Sequence, residues 1–323
     1  MMSGTLLYLS ERDVQSLAIP PGDARRIVLQ AFRDHAAGLN LSLPKSALML
    51  GAGHGFQAMP AASSTQGIAT LKWVAIAPVP PGGTARSING LIIVSDYESG
   101  VPIAVLDGNE VTLTRTAAMS AAAASCMAPS NPKSIGFIGS GLQAHAHLAA
   151  FLDLYPGLRQ AFTFSRSRSS AESLAAAATQ RGLDATVTGD ADAVLAQCDI
   201  VISMVPGAPG LKAFLDARRM KKAAFACAVD TGRSWIPESL PAFDVLVTDS
   251  LAQSKAPYDI NGDPVTTVRF GNDLVHIAGV DQPVAGTARS LFCYRGFAIA
   301  DLAVAHLVIE HARDAGKGAS LPL

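Results

Sequence analysis

The chain divides into stretches according to how its apolar positions recur. Residues 22–38, GDARRIVLQAFRDHAAG, place Ile27, Val28, Ala31, Phe32 and Ala36 on a 3.6-residue period. That predicts an amphipathic helix with Gly38 as its C-terminal stop. From about residue 42 to 111 the texture changes to short apolar runs split by glycine and proline. There GLIIVSD, YESG and VPIAVLDG read as strand, turn and strand, an antiparallel hairpin. TLTRTAAMSAAAASCMA follows, rich in helix formers, and stops at PSNP.

Beyond PSNP the period alternates. SIGFIG reads as a buried strand and LQAHAHLAAFLDLY as a helix. QAFTFSR is again a strand and SSAESLAAAATQRG a helix. DATVT is short and extended, DADAVLAQC a short helix, and DIVISMVP a strand. AAFACAVDT and FDVLVTDS are two more strands. Strands alternating with helices predict β-α-β units and a doubly wound parallel sheet. Near residue 289 the texture turns helical again, and SLFCYRGFAIADLAVAHLVIEHARDAGKG reads as one long amphipathic stretch. The predicted organisation is a nucleotide-type domain over 130–290, with the flanks 1–129 and 291–323 combining into a second domain.

Composition narrows the function classes. A chain of 323 residues that is 49% hydrophobic and 16% charged has material for two cores. A net charge of −1 offers no basic patch for nucleic acid or an anionic membrane surface. Cys126, Cys198, Cys227 and Cys293 are scattered without a C-x-x-C pair. No zinc site or disulfide framework is expected from them, and a reducing cytoplasm is. The N-terminal MMSGTLLYLSERDV lacks the basic flank of a signal peptide, and no apolar run is long enough to span a bilayer.

The sharpest local motif is SIGFIGSGLQAHAHLAAF, residues 134–151. Gly139, Gly141 and Ala144 form G-x-G-x-x-A between a predicted strand and a predicted helix. Gly139 permits the tight turn, Gly141 lets the backbone approach a pyrophosphate, and Ala144 lets helix and strand pack closely. The helix N-terminus offers free N–H groups to phosphate, so Gly139, Ser140, Gly141, Leu142, Gln143 and Ala144 are the expected dinucleotide-binding residues. His145 and His147 project to opposite sides of that helix and make no metal pair. An NAD site usually has an acid after the second strand; here Ser165, Arg166 and Arg168 stand there, and no acid comes before Glu172. Arginine at a 2′-phosphate forms charge-assisted bonds, so NADP(H) is favoured over NAD(H).

With these residues in view the chain resembles the ornithine cyclodeaminase/μ-crystallin family over nearly its whole length. The resemblance rests on FQAMPA (56–61), TLKWV (70–74), GVPIAVLDG (100–108), TLTRTAAMSAAAA (112–124), the glycine turn, VLVTDS (245–250) and GFAIADLAVAHLV (296–308). It implies a Rossmann domain inserted in an α+β domain that binds substrate and dimerises, hence a homodimer. The family includes ketimine (imino acid) reductases and an archaeal-type alanine dehydrogenase. Its functional lysine falls on Lys72, its carboxylate-binding arginine on Arg115, and its catalytic aspartate on Asp230, where the local spacing is about two residues shorter than the family pattern. Where the family has an arginine in a P-x-R setting, this chain has LPKS, which puts Lys45 at or next to that position. A lysine is a point charge where an arginine is a planar fork.

The chemistry of these residue types agrees with the implied roles. A small α-imino or α-amino acid has a carboxylate that needs a fixed cation, and Arg115, expected near a helix start, supplies one. Lys45 is a second candidate cation. Reduction of C=N leaves a nitrogen that needs a proton, and Lys72, in an apolar strand, is a donor whose pKa burial would lower. Asp230 is expected at the C-terminal end of a strand, the ligand side of such a sheet. Asp301, in AIADLA, is expected to cap or pair structurally.

Three functions are compatible with this reading. The first is an NADP(H)-dependent reductase of small cyclic or linear α-imino acids, reversible as an amino acid dehydrogenase. The second is an ornithine cyclodeaminase with tightly bound NAD. The third is a nucleotide-bound binding protein of the μ-crystallin type. The favoured reading is the first, since no NAD-type acid follows the second strand and Lys72, Arg115 and Asp230 are all present.

Overall fold

The computed structural model describes residues 4–51, 53–79, 86–207, 210–255, 269–280 and 287–323. The chain starts with β1 (Thr5–Leu9), α1 (Glu11–Ser16) and α2 (Pro21–Ala36). α1 opens on a capping box, in which Ser10 Oγ accepts from the Asp13 N–H and the Asp13 carboxylate accepts from the Ser10 N–H. α2 buries Val28, Ala31 and Phe32, the stripe its period predicts, and the chain leaves it through Gly38 at a φ of +76°. Next come β2 (Asn40–Ser42), β3 (Ser46–Gly51), β4 (His54–Ser63), β5 (Ile68–Ile76), β6 (Ile88–Asp96), β7 (Pro102–Asp107) and α3 (Gly108–Met127).

From β4 to β7 each strand pairs antiparallel with the next, and β1 joins β7 in parallel. In β5 the side chains alternate strictly. Ile68, Thr70, Lys72 and Val74 are buried, whereas Leu71 and Trp73 are exposed. The register sets Lys72 opposite Met59 on β4 and Ile92 on β6, so all three share the inner face.

After α3 the alternation takes over: β8 (Ser134–Ile138), α4 (Leu142–Leu154), β9 (Gln160–Phe164), α5 (Arg168–Gln180), β10 (Asp184–Val187), α6 (Ala191–Gln197), β11 (Ile200–Ser203), β12 (Phe225–Ala228), β13 (Val245–Thr248), α7 (Leu251–Ser254), β14 (Asn272–Asp273), α8 (Leu274–Gly279) and β15 (Ser290–Cys293). These strands form one parallel sheet in the order β10-β9-β8-β11-β12-β15-β13-β14. The chain runs outward from β8 through β9 to β10, then crosses back to place β11 on the other side of β8. That reversal is the switch point at which such sheets bind ligands, at the C-terminal ends of the strands.

One expectation is corrected here. The stretch from 289 is not one helix, because SLFC is β15, seated between β12 and β13. A four-residue run buried on both faces, Ser290 with three apolar residues, carries no period that separates strand from helix. The break between the two elements is Gly296, at a φ of +86°.

The chain ends with α9 (Ala298–Asp314) and β16 (Ala319–Pro322). β16 pairs antiparallel with β1 and completes the first sheet, in the order β16-β1-β7-β6-β5-β4-β2 with β3 also on β4. α9 packs on β4, β5 and α2 and is buried along most of its length, Asp301 included. Among the described residues the chain separates into two compact units. One holds the residues up to Arg115 together with Phe297–Leu323, and the other those from Thr116 to Gly296. The division along α3 falls at Arg115/Thr116.

Candidate active site

In the first unit three charged side chains meet on the inner face of the sheet. Lys72 is 3% exposed, and its Nζ donates to Asp301 Oδ1 at 2.9 Å and to Thr112 Oγ1. Thr112 in turn donates its own proton to the Gly108 carbonyl, one helical turn back. Arg115 Nε lies 3.1 Å from the same Asp301 oxygen, close enough for an ion pair but without hydrogen-bond alignment. Arg115 Nε and Nη1 and Asp301 Oδ2 are buried with no hydrogen-bond partner. Arg115 sits well inside α3 rather than near its start, because the helix begins at Gly108, before the segment the sequence marks as helical.

The electrostatics follow from that packing. Burial pulls the Lys72 ammonium down from its ordinary value to about 8; Asp301 holds it up, while Arg115 and Lys45 push it further down. Lys45, in the short connection between β2 and β3, is therefore close enough for its charge to be felt at Lys72. An amine that titrates within about a unit of neutral pH can give or take a proton, and buried guanidinium N–H groups without acceptors suit a carboxylate. The two cations expected to be functional thus share one counter-ion, Asp301. The pairing expected of Asp301 is present, and its partners are Lys72 and Arg115.

The second unit carries the glycine turn. Gly139 follows β8 with a φ of +97°, and a Cβ there would meet the Met204 carbonyl, just past β11, at 2.9 Å. Gly141 faces open space, so no packing demand requires a glycine there. It is the N-cap of α4 and supplies no side-chain cap to the first-turn N–H groups. Ala144 is fully buried, as close helix–strand packing requires. Ser140 Oγ and Gln143 Oε1 are buried without hydrogen-bond partners. Uncapped amides, an open Cβ position and orphaned polar atoms on one turn fit the diphosphate of a dinucleotide. At the end of β9, Ser165 and Arg166 lead to Ser167, which caps α5 by accepting from the Ser170 N–H. Arg168 is exposed and pairs with Glu172 at 2.7 Å.

Asp230 also stands at the C-terminal edge of this sheet, two residues beyond β12. Burial pushes its carboxyl up, against hydrogen bonds from Ser234 Oγ (2.5 Å), the Val205 and Gly232 N–H groups, and Ser203 Oγ. Trp235 Nε1 donates to Ser203, extending the network into the core. Both Asp230 oxygens are thereby engaged in holding the exits of β11 and β12, where Thr231 adopts a φ of +61°. Arg233 closes the turn, donating to the Asp230 carbonyl and to Thr231 Oγ1.

Two features were missed by the sequence reading. One is Thr112, whose hydroxyl gains meaning only beside Lys72. The other is a buried network in the second unit around Ser120, which contacts His147 Nε2 at 2.7 Å and the Tyr294 hydroxyl at 2.6 Å. Burial lowers His147 to about 4, so it is neutral and serves packing. Among the described residues no group of His, Cys, Asp and Glu could hold a metal ion, and no helix is long and apolar enough to cross a membrane.

The parallel sheet, its strand order and its glycine turn define a Rossmann-type protein. The chain belongs to the ornithine cyclodeaminase/mu-crystallin family, whose sequence profile matches residues 7–316. It is 28% identical over 326 residues to the alanine dehydrogenase of Archaeoglobus fulgidus, covering 98% of each chain. It is 24% identical over 262 residues to a Delta(1)-pyrroline-2-carboxylate reductase of Bacillus thuringiensis, covering 77% of this chain and 78% of that one. An archaeal alanine dehydrogenase dimer solved with bound NAD superposes with a TM-score of 0.85 at 26% identity, over 99% of each chain.

Proposed function

We propose that this protein is an NAD(P)H-dependent reductase of small cyclic or linear α-imino acids, reversible as an amino acid dehydrogenase. The observation that carries the reading is the buried Lys72–Asp301–Arg115 cluster, with guanidinium N–H groups that lack acceptors. Relatives named alanine dehydrogenase and Delta(1)-pyrroline-2-carboxylate reductase support it, since both names describe chemistry at a carbon that bears nitrogen beside a carboxylate. Arg115 binds that carboxylate and Lys45 adds a second positive charge. Lys72 gives a proton to the substrate nitrogen in reduction and takes one in oxidation. When bound on the Gly139–Ala144 turn, the dinucleotide supplies or accepts the hydride at the substrate α-carbon. Asp230 fixes the loops at the sheet edge through Ser203 and Ser234.

Ser165, Arg166 and Arg168 favour NADP(H) over NAD(H), because two cations follow β9 before the first acid, Glu172. The protein works as a homodimer: Leu71, Trp73, Leu91 and Ile93 form an apolar outer face on the first sheet, each more than a third exposed. The test of the activity is to mix the protein with NADPH, then separately NADH. The substrates are Δ1-pyrroline-2-carboxylate, Δ1-piperideine-2-carboxylate, and pyruvate or glyoxylate with ammonia or methylamine. Steady oxidation of NADPH with one of them is the expected result. Silence throughout, with ammonia released from ornithine in the presence of NAD(+), would transfer the chain to cyclodeaminase chemistry. Silence in both would leave a binding protein.

A further inference from the structure

Lys72 has three N–H bonds when protonated, and two of them have fixed destinations. One points to Asp301 Oδ1 at 2.9 Å. The other points to Thr112 Oγ1, and the direction of that bond is settled by Thr112 itself. Its only proton is given to the Gly108 carbonyl, so toward Lys72 the hydroxyl can only accept. Asp301 is held in turn on α9, where it is 1% exposed. The three elements concerned are far apart in sequence, with Lys72 and Asp301 separated by 229 residues. A lysine in water rotates its ammonium freely; this one is held by an acceptor on each of two helices.

We infer that Asp301 and Thr112 are positioning residues that leave Lys72 one free direction, along which it exchanges a proton with the substrate nitrogen. The inference rests on the reductase reading for the identity of the proton's destination. In the step, the third Nζ–H bond breaks and its electron pair stays on Nζ as the lone pair. A new N–H bond forms at the substrate imine nitrogen, which becomes the cation. After the transfer the two protons left on Nζ still satisfy Asp301 and Thr112, so neither acceptor loses its partner when the charge leaves. Asp301 has a second effect through its charge. The charged groups that act on Lys72 from its packed neighbours are Asp301 on α9, Arg115 on α3, and Lys45 between β2 and β3. Asp301 is the one anion among them. It keeps the ammonium populated at neutral pH despite burial and two neighbouring cations.

The test uses the full-length protein with its lysines labelled at 13Cε, titrated by NMR, alongside pH profiles of kcat/KM with NADPH and the best imino acid. In the wild type, Lys72 titrates near 8, and reduction falls above that pH because the donor form disappears. Asp301→Asn lowers the Lys72 titration by about one unit or more, and the basic limb of the profile moves down with it. Thr112→Val lowers kcat roughly 10-fold at pH 7 with KM little changed, and Thr112→Ser restores it. A Lys72 titration unmoved by Asp301→Asn, or a Thr112→Val enzyme with wild-type kcat, overturns the proposal. If no imino acid is reduced, the reductase reading fails, and the NMR titration still decides whether Asp301 governs Lys72. Should Asp301→Asn not fold, the Thr112 pair carries the test alone.

Discussion

Arg115 has an environment that neither solvent nor a full ion pair explains. Its charge is balanced in part by Asp301, yet Nε and Nη1 are buried without acceptors. Leaving such donors unmet costs free energy unless a ligand meets them. Charge-assisted bonds to a carboxylate contribute about 1.5–3 kcal/mol, so Arg115→Ala should raise KM for an α-carboxylate substrate roughly 10- to 100-fold. Steady-state kinetics check this, and an unchanged KM would remove Arg115 from the site. At this scale the sequence was only half legible. Lys72 and Arg115 stand out as cations in apolar surroundings, but nothing local says that both look to Asp301. That pairing is made by α9 packing on β5, a contact between segments with no sequence signal in common. Thr112 is invisible for the same reason, since one threonine among the helix formers of α3 carries no mark of its neighbour.

Elements were easier to read than residues wherever their period was long or their ends were punctuated. α2 follows its predicted stripe and stops before Gly38, and the hairpin of β6 and β7 forms around YESG. The alternation after PSNP yields the parallel sheet because each strand is bounded by a glycine or proline turn or by a helix cap. β15 escaped because a short, largely apolar run next to a helix looks like more helix. The junction of β9 and α5 carries the cofactor prediction. Arg166 and Arg168 are exposed there, and only Arg168 pairs with an acid among the ion pairs of the described residues. Replacing both by alanine should weaken NADPH binding at least 10-fold while leaving NADH binding within about 2-fold, because only the 2′-phosphate distinguishes the two. Fluorescence titration of each dinucleotide reads this, and equal losses would sink the 2′-phosphate reading.

At the scale of the whole molecule, the antiparallel β4–β7 part of the first sheet brings Lys72 to its inner face while its outer face remains apolar. The alternation of β5 does both at once: Lys72 points in, and Leu71 and Trp73 point out. An outer face of that character calls for a cover, and a second copy of the chain is the cover proposed. Sedimentation velocity should give a dimer for the wild type and a monomer for Trp73→Lys combined with Leu91→Lys; a wild-type monomer would refute it. The measurement that bears most directly on the function is the reductase assay run with NADPH carrying deuterium at both C4 positions, followed by mass spectrometry of the product. Hydride transfer to an α-imino acid places one deuterium on the α-carbon of the amino acid formed. Product without deuterium, or no product while ornithine loses ammonia with NAD(+), would contradict it.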